Sequence, residues 1–178
     1  MAVWTVQRRA RRVAAKAPTP ISSPVVEDLT ELRRLLQDSS DGDNPSAEVI
    51  AELLGDVQHI AVIGLSRNLE KPARRVPSYL AAKGYDVIPV NPHADRLLGR
   101  PSHPALSDVP EPVDLVLVFR PSDVAGSFVL EAMERPDHPA IWLQSGIRAE
   151  AEVAKARAAG RTVVQDLCIF RVHRVLIE

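Results

Sequence analysis

The feature that most narrows the fold is a recurrence of short apolar runs, most of them separated by helix-sized segments. The runs are IAVIG at residues 60–64, DVIPV at 86–90, VDLVLVF at 113–119, AIWL at 140–143 and TVV at 162–164. A continuous apolar run without polar alternation is what a strand buried on both faces shows, and such strands belong to parallel sheets. Strands alternating with helices of about ten residues build a parallel sheet through right-handed crossovers. The expectation is an α/β chain: a Rossmann-like, doubly wound, parallel five-stranded sheet in the order 3-2-1-4-5.

The segments between the runs carry helix signals. Ser46 precedes a helical pattern at 47–54 that Gly55 ends, and Ala149 opens one that Gly160 closes. Ser122 or Asp123 is expected to cap a helix reaching about Arg135. Pro77 complicates the helix after the first run, because proline is tolerated only in a first turn. That helix is therefore expected to start at Arg74 or Arg75, leaving 66–73 as an extended loop.

Ahead of the regular pattern, residues 27–37 place Leu29, Leu32, Leu35 and Leu36 at amphipathic spacing, and 38–45 reads as a polar linker. The first 26 residues hold Arg8, Arg9, Arg11, Arg12 and Lys16, no acid, and Pro18, Pro20 and Pro24. Such a composition cannot bury a core and predicts a disordered tail. An organellar transit peptide or an anion-seeking arm shares that composition, but a solvated extension fits it better. The chain thus divides into a basic, Pro/Ser-containing extension over 1–44, partly disordered with a short helix, and a binding domain over 45–178.

Totals exclude several functions. The net charge is −1 and aromatics are 4%, so the basic, aromatic-laced face of a nucleic-acid binder is missing. No apolar run reaches the roughly 18–20 residues that span a bilayer. One cysteine, Cys168, allows no intrachain disulfide and suits a reducing cytoplasm. His59, His93, His103, His138 and His173 are dispersed, and no metal site is expected.

In a doubly wound sheet, ligands bind outside the carboxyl ends of the strands. Four segments converge there. After the first run, Gly64 permits close backbone approach and Ser66 offers a hydroxyl, while Arg67, Lys71, Arg74 and Arg75 supply cations beside a helix start suited to phosphate. Asn91 follows the second run, Phe119 and Arg120 end the third, and Gln144 and Gly146 follow the fourth. The loop has neither the dinucleotide glycine fingerprint nor a P-loop. An NAD site would place an acid after the second strand; Asn91 stands there, which disfavours NAD, although Arg67 or Arg74 could still meet an NADP phosphate.

Together, IAVIGLS at 60–66, Lys71-Pro72, Gly84-Tyr85, IPVNP at 88–92, Val113-Asp114, VFR at 118–120, WLQ at 142–144, Gly146-Ile147 and Cys168 resemble the small bacterial and archaeal CoA-binding proteins. These are similar to the N-terminal, CoA-binding domain of the succinyl-CoA synthetase alpha subunit. The resemblance covers about residues 46–175. It implies coenzyme A with its phosphates at the first turn and its adenine and ribose along the second and third strand ends. Gly64, Ser66, Lys71, Asn91, Phe119 and Arg120 carry over as contacts. Where the family usually has Ser-Tyr-Arg after Lys-Pro, this chain has Ala73-Arg74-Arg75, and Leu167 replaces the usual Arg before the cysteine.

Ligases of the succinyl type also need a phosphohistidine domain and an ATP-grasp partner, so a complete ligase is not expected of these 178 residues. Asp166, Cys168 and His173 lie close in sequence, but a structural thiol is the better reading than a nucleophile with its base. The expectation is non-catalytic binding of coenzyme A or acyl-CoA by a cytoplasmic protein, compatible with a homodimer and without nucleic-acid or membrane partners. An NAD(P)-binding redox sensor or oxidoreductase-like protein, and a CoA-binding subunit of a separate acyl-CoA ligase, are the alternatives.

Overall fold

The computed structural model describes residues 26–177; the tail expected to be disordered lies outside them, save its last residue. In chain order the elements are α1 (Val26–Gln37), α2 (Ala47–Asp56), β1 (His59–Ile63), α3 (Pro72–Ala82), β2 (Asp86–Val90), β3 (Arg96–Leu97), β4 (Arg100–Pro101), β5 (Leu115–Val118), α4 (Ser122–Met133), β6 (Ala140–Leu143), α5 (Glu150–Ala158), β7 (Val163–Val164) and α6 (Ile169–Ile177). Five strands form one parallel sheet, and β3 and β4 form a separate antiparallel ribbon.

Every strand of the sheet is buried on both faces, which is why its runs are apolar without alternation. Successive side chains serve different layers. Ile60 and Val62 pack with α1, α2, α3 and α6, whereas Ala61 and Ile63 pack with α4 and α5. Trp142 is fully buried in the first layer and donates its indole N–H to the Leu167 carbonyl at 2.7 Å.

The α/β class and the five-stranded parallel sheet are as expected, but the strand order is not. The observed order is β2-β1-β5-β6-β7, so the third apolar run lies beside β1 rather than beside β2. The outer position next to β2 is filled by a single parallel bridge between Val90 and His103. Asn91 N–H donates to the His103 carbonyl at 2.8 Å and His103 N–H to the Pro89 carbonyl at 2.9 Å. The residues in phase with that bridge cannot extend it: Pro101 has no N–H, and the Ala105 N–H donates to Asp108 Oδ2 at 3.2 Å. Both orders alternate strands with helices through right-handed crossovers, so the apolar runs alone do not say on which side of β1 the third run settles. The reversal of strand order accordingly falls between β1 and β5.

Two helices differ from expectation. α3 begins at Pro72, not at Arg74 or Arg75, and carries Pro77 in its interior. α6 follows Cys168 directly and turns Ile169, Val172, His173 and Leu176 inward, the spacing of one helical face. That period stands in the sequence and is the signal by which this helix can be recognised. α1 rests on α6 and α2, with Leu32 fully buried between them.

Candidate functional site: the carboxyl edge of the sheet

At the reversal point the turns after β1 and β5 meet. Gly64 has φ +81, a conformation that costs little only without a Cβ. A Cβ there would sit 2.8 Å from Arg120 Cδ and 3.2 Å from the Phe119 carbonyl oxygen. The glycine therefore lets the Arg120 stem lie across the turn. Phe119 N–H donates to the Ile63 carbonyl at 2.9 Å, which fixes the second turn against the first.

Asn91 links the β2 end to the same turn. Its Nδ2 donates to the Leu65 carbonyl at 2.9 Å, and its Oδ1 accepts the His93 N–H at 2.8 Å. Most of its hydrogen-bonding capacity is committed to backbone, so it shapes the edge whatever else it touches. The Arg67 guanidinium donates to the His93 carbonyl and closes the two loops together. Ser66 Oγ accepts the Asn68 N–H at 3.1 Å and keeps its own hydrogen to donate.

Lys71 sits at the N-cap of α3 with an exposed side chain, and Pro72 follows it in the first helical turn. Arg74 is half-buried, with a buried Nε that has no hydrogen-bond partner. None of Arg67, Lys71, Arg74, Arg75 or Arg120 forms an ion pair among the described residues. The first turn of α3 contains no acid. Cations at the positive end of a helix dipole are unfavourable on their own and become favourable once an anion lies between them.

Gln144 follows β6 and is 5% exposed, with its Nε2 buried and unpartnered. Gly146 has φ +78, and its N–H donates to Asp166 Oδ1 at 2.6 Å. Ser122 is not the N-cap of α4, a place taken by Pro121; its hydroxyl instead accepts the Arg148 N–H at 2.9 Å. The loop after β6 is thus fixed from both sides.

A contribution hidden in the sequence comes from residues 38–45. Asn44 Nδ2 donates to the Gln165 carbonyl at 2.9 Å and its Oδ1 accepts the Gln165 N–H at 2.8 Å, pairing the chain just after β7 as a neighbouring strand would. Ser40 N–H donates to Asp166 Oδ2 at 3.1 Å, and Arg157 pairs with Asp41 at 2.7 Å. Burial alone would raise the Asp41 and Asp166 carboxyls. The hydrogen bonds and charge of Arg157 on the one, and the Ser40 and Gly146 bonds on the other, outweigh burial and hold both below the ordinary value.

Asp166, Cys168 and His173 do not share one set of partners. Asp166 faces Ser40 and Gly146, and Cys168 is a half-buried free thiol. His173 is fully buried, with its Nδ1 3.0 Å from the Tyr79 hydroxyl and edge-on contacts to the Tyr79 and Tyr85 rings. Burial, with a smaller effect from Lys83, pushes it down to about 4. Among the described residues, no group of three or more His, Cys, Asp or Glu could hold a metal, and no helix is long and apolar enough to cross a membrane. A groove of about 740 Å³ opens at the opposite, amino edge between Glu52, Asp56, Asp114 and Arg161; none of the ten expected residues lines it.

Fold and edge together define a Rossmann-like α/β domain with a cluster of cations at its switch point. The chain belongs to the CoA binding domain family, whose pattern matches residues 58–174. It is 37% identical over 132 residues to the uncharacterized protein YneT of Bacillus subtilis (strain 168), covering 74% of this chain and 97% of that one. The solved structure of cell-free ID.343 from Thermus thermophilus superposes with a TM-score of 0.69 at 35% identity, over 74% of this chain and 99% of that chain. An ADP-forming acetate–CoA ligase II of Archaeoglobus fulgidus is 30% identical over 95 residues, which are 52% of this chain but 14% of the ligase. The family expected from the motifs is the one that matches, and residues 26–57 lie before the matched region.

Proposed function

We propose that this chain binds coenzyme A or acyl-CoA at the carboxyl edge without catalysing a reaction on it, in a cytoplasmic setting. One observation carries the reading beyond family membership: Lys71, Arg74 and Arg75 crowd the acid-free start of α3 without a carboxylate partner. That arrangement gains stability from a polyanion, and coenzyme A carries several phosphates. In this reading Gly64 lets the chain's backbone approach the ligand closely, and Ser66, Arg67, Lys71, Arg74 and Arg120 take the phosphates. Asn91 and Phe119 border the adenine and ribose. Gln144 and Gly146 line the uncharged end, where the buried Gln144 Nε2 has a donor to give.

Calorimetric titration with coenzyme A, acetyl-CoA, NAD and NADP tests it. Saturable binding of coenzyme A, weakened by salt, is expected; no heat with coenzyme A at millimolar concentration alongside binding of a pyridine nucleotide refutes it and favours the redox alternative. A second reading, a CoA-binding subunit of a separate ligase, is supported by the similarity to part of the acetate–CoA ligase. It requires ATP-dependent acyl-CoA formation once a second chain is added.

A further inference from the structure

α3 holds a proline in its interior, and the acceptor which that proline leaves unused is taken up at the turn after β1. In a regular helix the N–H of residue 77 donates to the carbonyl of residue 73. Pro77 has no N–H, and a proline ring crowds the carbonyl four residues before it. The Ala73 carbonyl instead accepts the Ser66 N–H at 3.1 Å. Ser66 completes the turn opened by Gly64, and Ala73 lies in the first turn of α3 beside Arg74 and Arg75. One backbone bond therefore joins the glycine turn to the cationic helix start. Interior prolines disfavour a helix relative to alanine, so this position opposes local propensity.

We propose that Pro77 is a positioning residue for the coenzyme A site. By leaving the Ala73 carbonyl without a helical donor, it reserves that acceptor for Ser66 and holds the Gly64–Ser66 turn against α3. The Ser66 N–H is consequently turned inward, and the ligand meets the Ser66 hydroxyl and the cations instead. This inference rests on reading the edge as the coenzyme A site.

Pro77→Ala restores a donor that competes with Ser66, and Pro77→Ser does so with a different side chain. For both, coenzyme A affinity measured by calorimetry should fall about three- to ten-fold, the worth of one net hydrogen bond in orienting a site. The Ser66 amide should exchange faster with solvent, while the Tm of Pro77→Ala stays level or rises. Affinity within two-fold of wild type in both variants overturns the inference, as does an affinity loss that only follows a fall in Tm. If the wild-type chain fails to bind coenzyme A, the ligand reading falls. Ser66 exchange then decides alone: faster exchange in the variants keeps Pro77 as the holder of the turn, and unchanged exchange removes it.

Discussion

The two ends of the carboxyl edge solve the same electrostatic problem in opposite ways. At the β7 end charge is settled within the protein. Arg157 pairs with Asp41, Arg148 with Glu150 and more distantly with Asp166, and the first turn of α5 carries Glu150 and Glu152 against its dipole. At the β1 end nothing is settled. α3 starts with no acid, and the cations around it meet only a carbonyl, that of His93, or no partner. The first end is built to stay closed, and the second is complete only with an anion from outside. Substitutions at the β7 end should therefore change stability and leave affinity alone, and removal of a cation at the β1 end the reverse.

The largest effect is expected from Arg157→Ala. It leaves the Asp41 carboxylate, whose side chain is 6% exposed, without its cation. Stranding one partner of a buried pair costs about 3 kcal/mol, here lowered by the remaining Asp43 N–H bond to roughly 2–3 kcal/mol. For a chain of this size that is a fall in Tm of about 5–10 °C, read by calorimetric melting. Coenzyme A affinity should remain within two-fold; a larger loss would break the division between the ends.

Acid should sharpen it. His173 stays neutral in the folded chain down to about 4, whereas in the unfolded chain it titrates near 6.5. Between those values the unfolded state binds the extra proton, so stability falls as pH is lowered from 6.5 towards 4, by about 2–3 kcal/mol in all. Asp41 and Asp166 have depressed values, so their contribution is full above about 3.8 and disappears only as pH drops through their folded values. Denaturant unfolding from pH 7 to 4 should show the first loss, and His173→Gln should flatten it.

How legible these ends were from the sequence differs for a physical reason. β2 and β6 have the limits their apolar runs suggested, and the turn at Gly64 announces itself by one glycine after one buried run. The strap at 38–45 read as a linker because its partners, Gln165 and Asp166, lie more than 120 residues away and no local pattern marks them. The strand order failed for the same reason: the side of β1 that the 113–119 run joins is set by contacts between distant segments, and both doubly wound orders show the same alternation of runs. Pro77 misled in the other direction. The rule against interior prolines assumes that the unused carbonyl is wasted, and here Ser66 uses it.

Gly64→Ala should act on the β1 end through geometry. The left-handed backbone alone costs a side chain about 1–2 kcal/mol, and the new Cβ must displace the Arg120 stem lying 2.8 Å away. Titration should show coenzyme A binding at least about ten-fold weaker, and a melt should show a smaller loss than Arg157→Ala gives. A variant that melts early yet binds as wild type would mean that the Arg120 stem has no part in the site.

The smallest effects, and the most discriminating, are expected from Lys71→Ala and Arg120→Ala taken singly. Both side chains are exposed and neither forms an ion pair, so their removal should leave Tm unchanged within a degree or two. Each exposed cation near a phosphate contributes on the order of 1 kcal/mol, hence about a five-fold weakening. The slope of affinity against salt separates the explanations. If these cations contact phosphates, each deletion flattens the slope, because one fewer screened contact remains. If affinity falls but the slope does not change, the residues act through packing, and the β1 end owes its preference to shape rather than to unsettled charge.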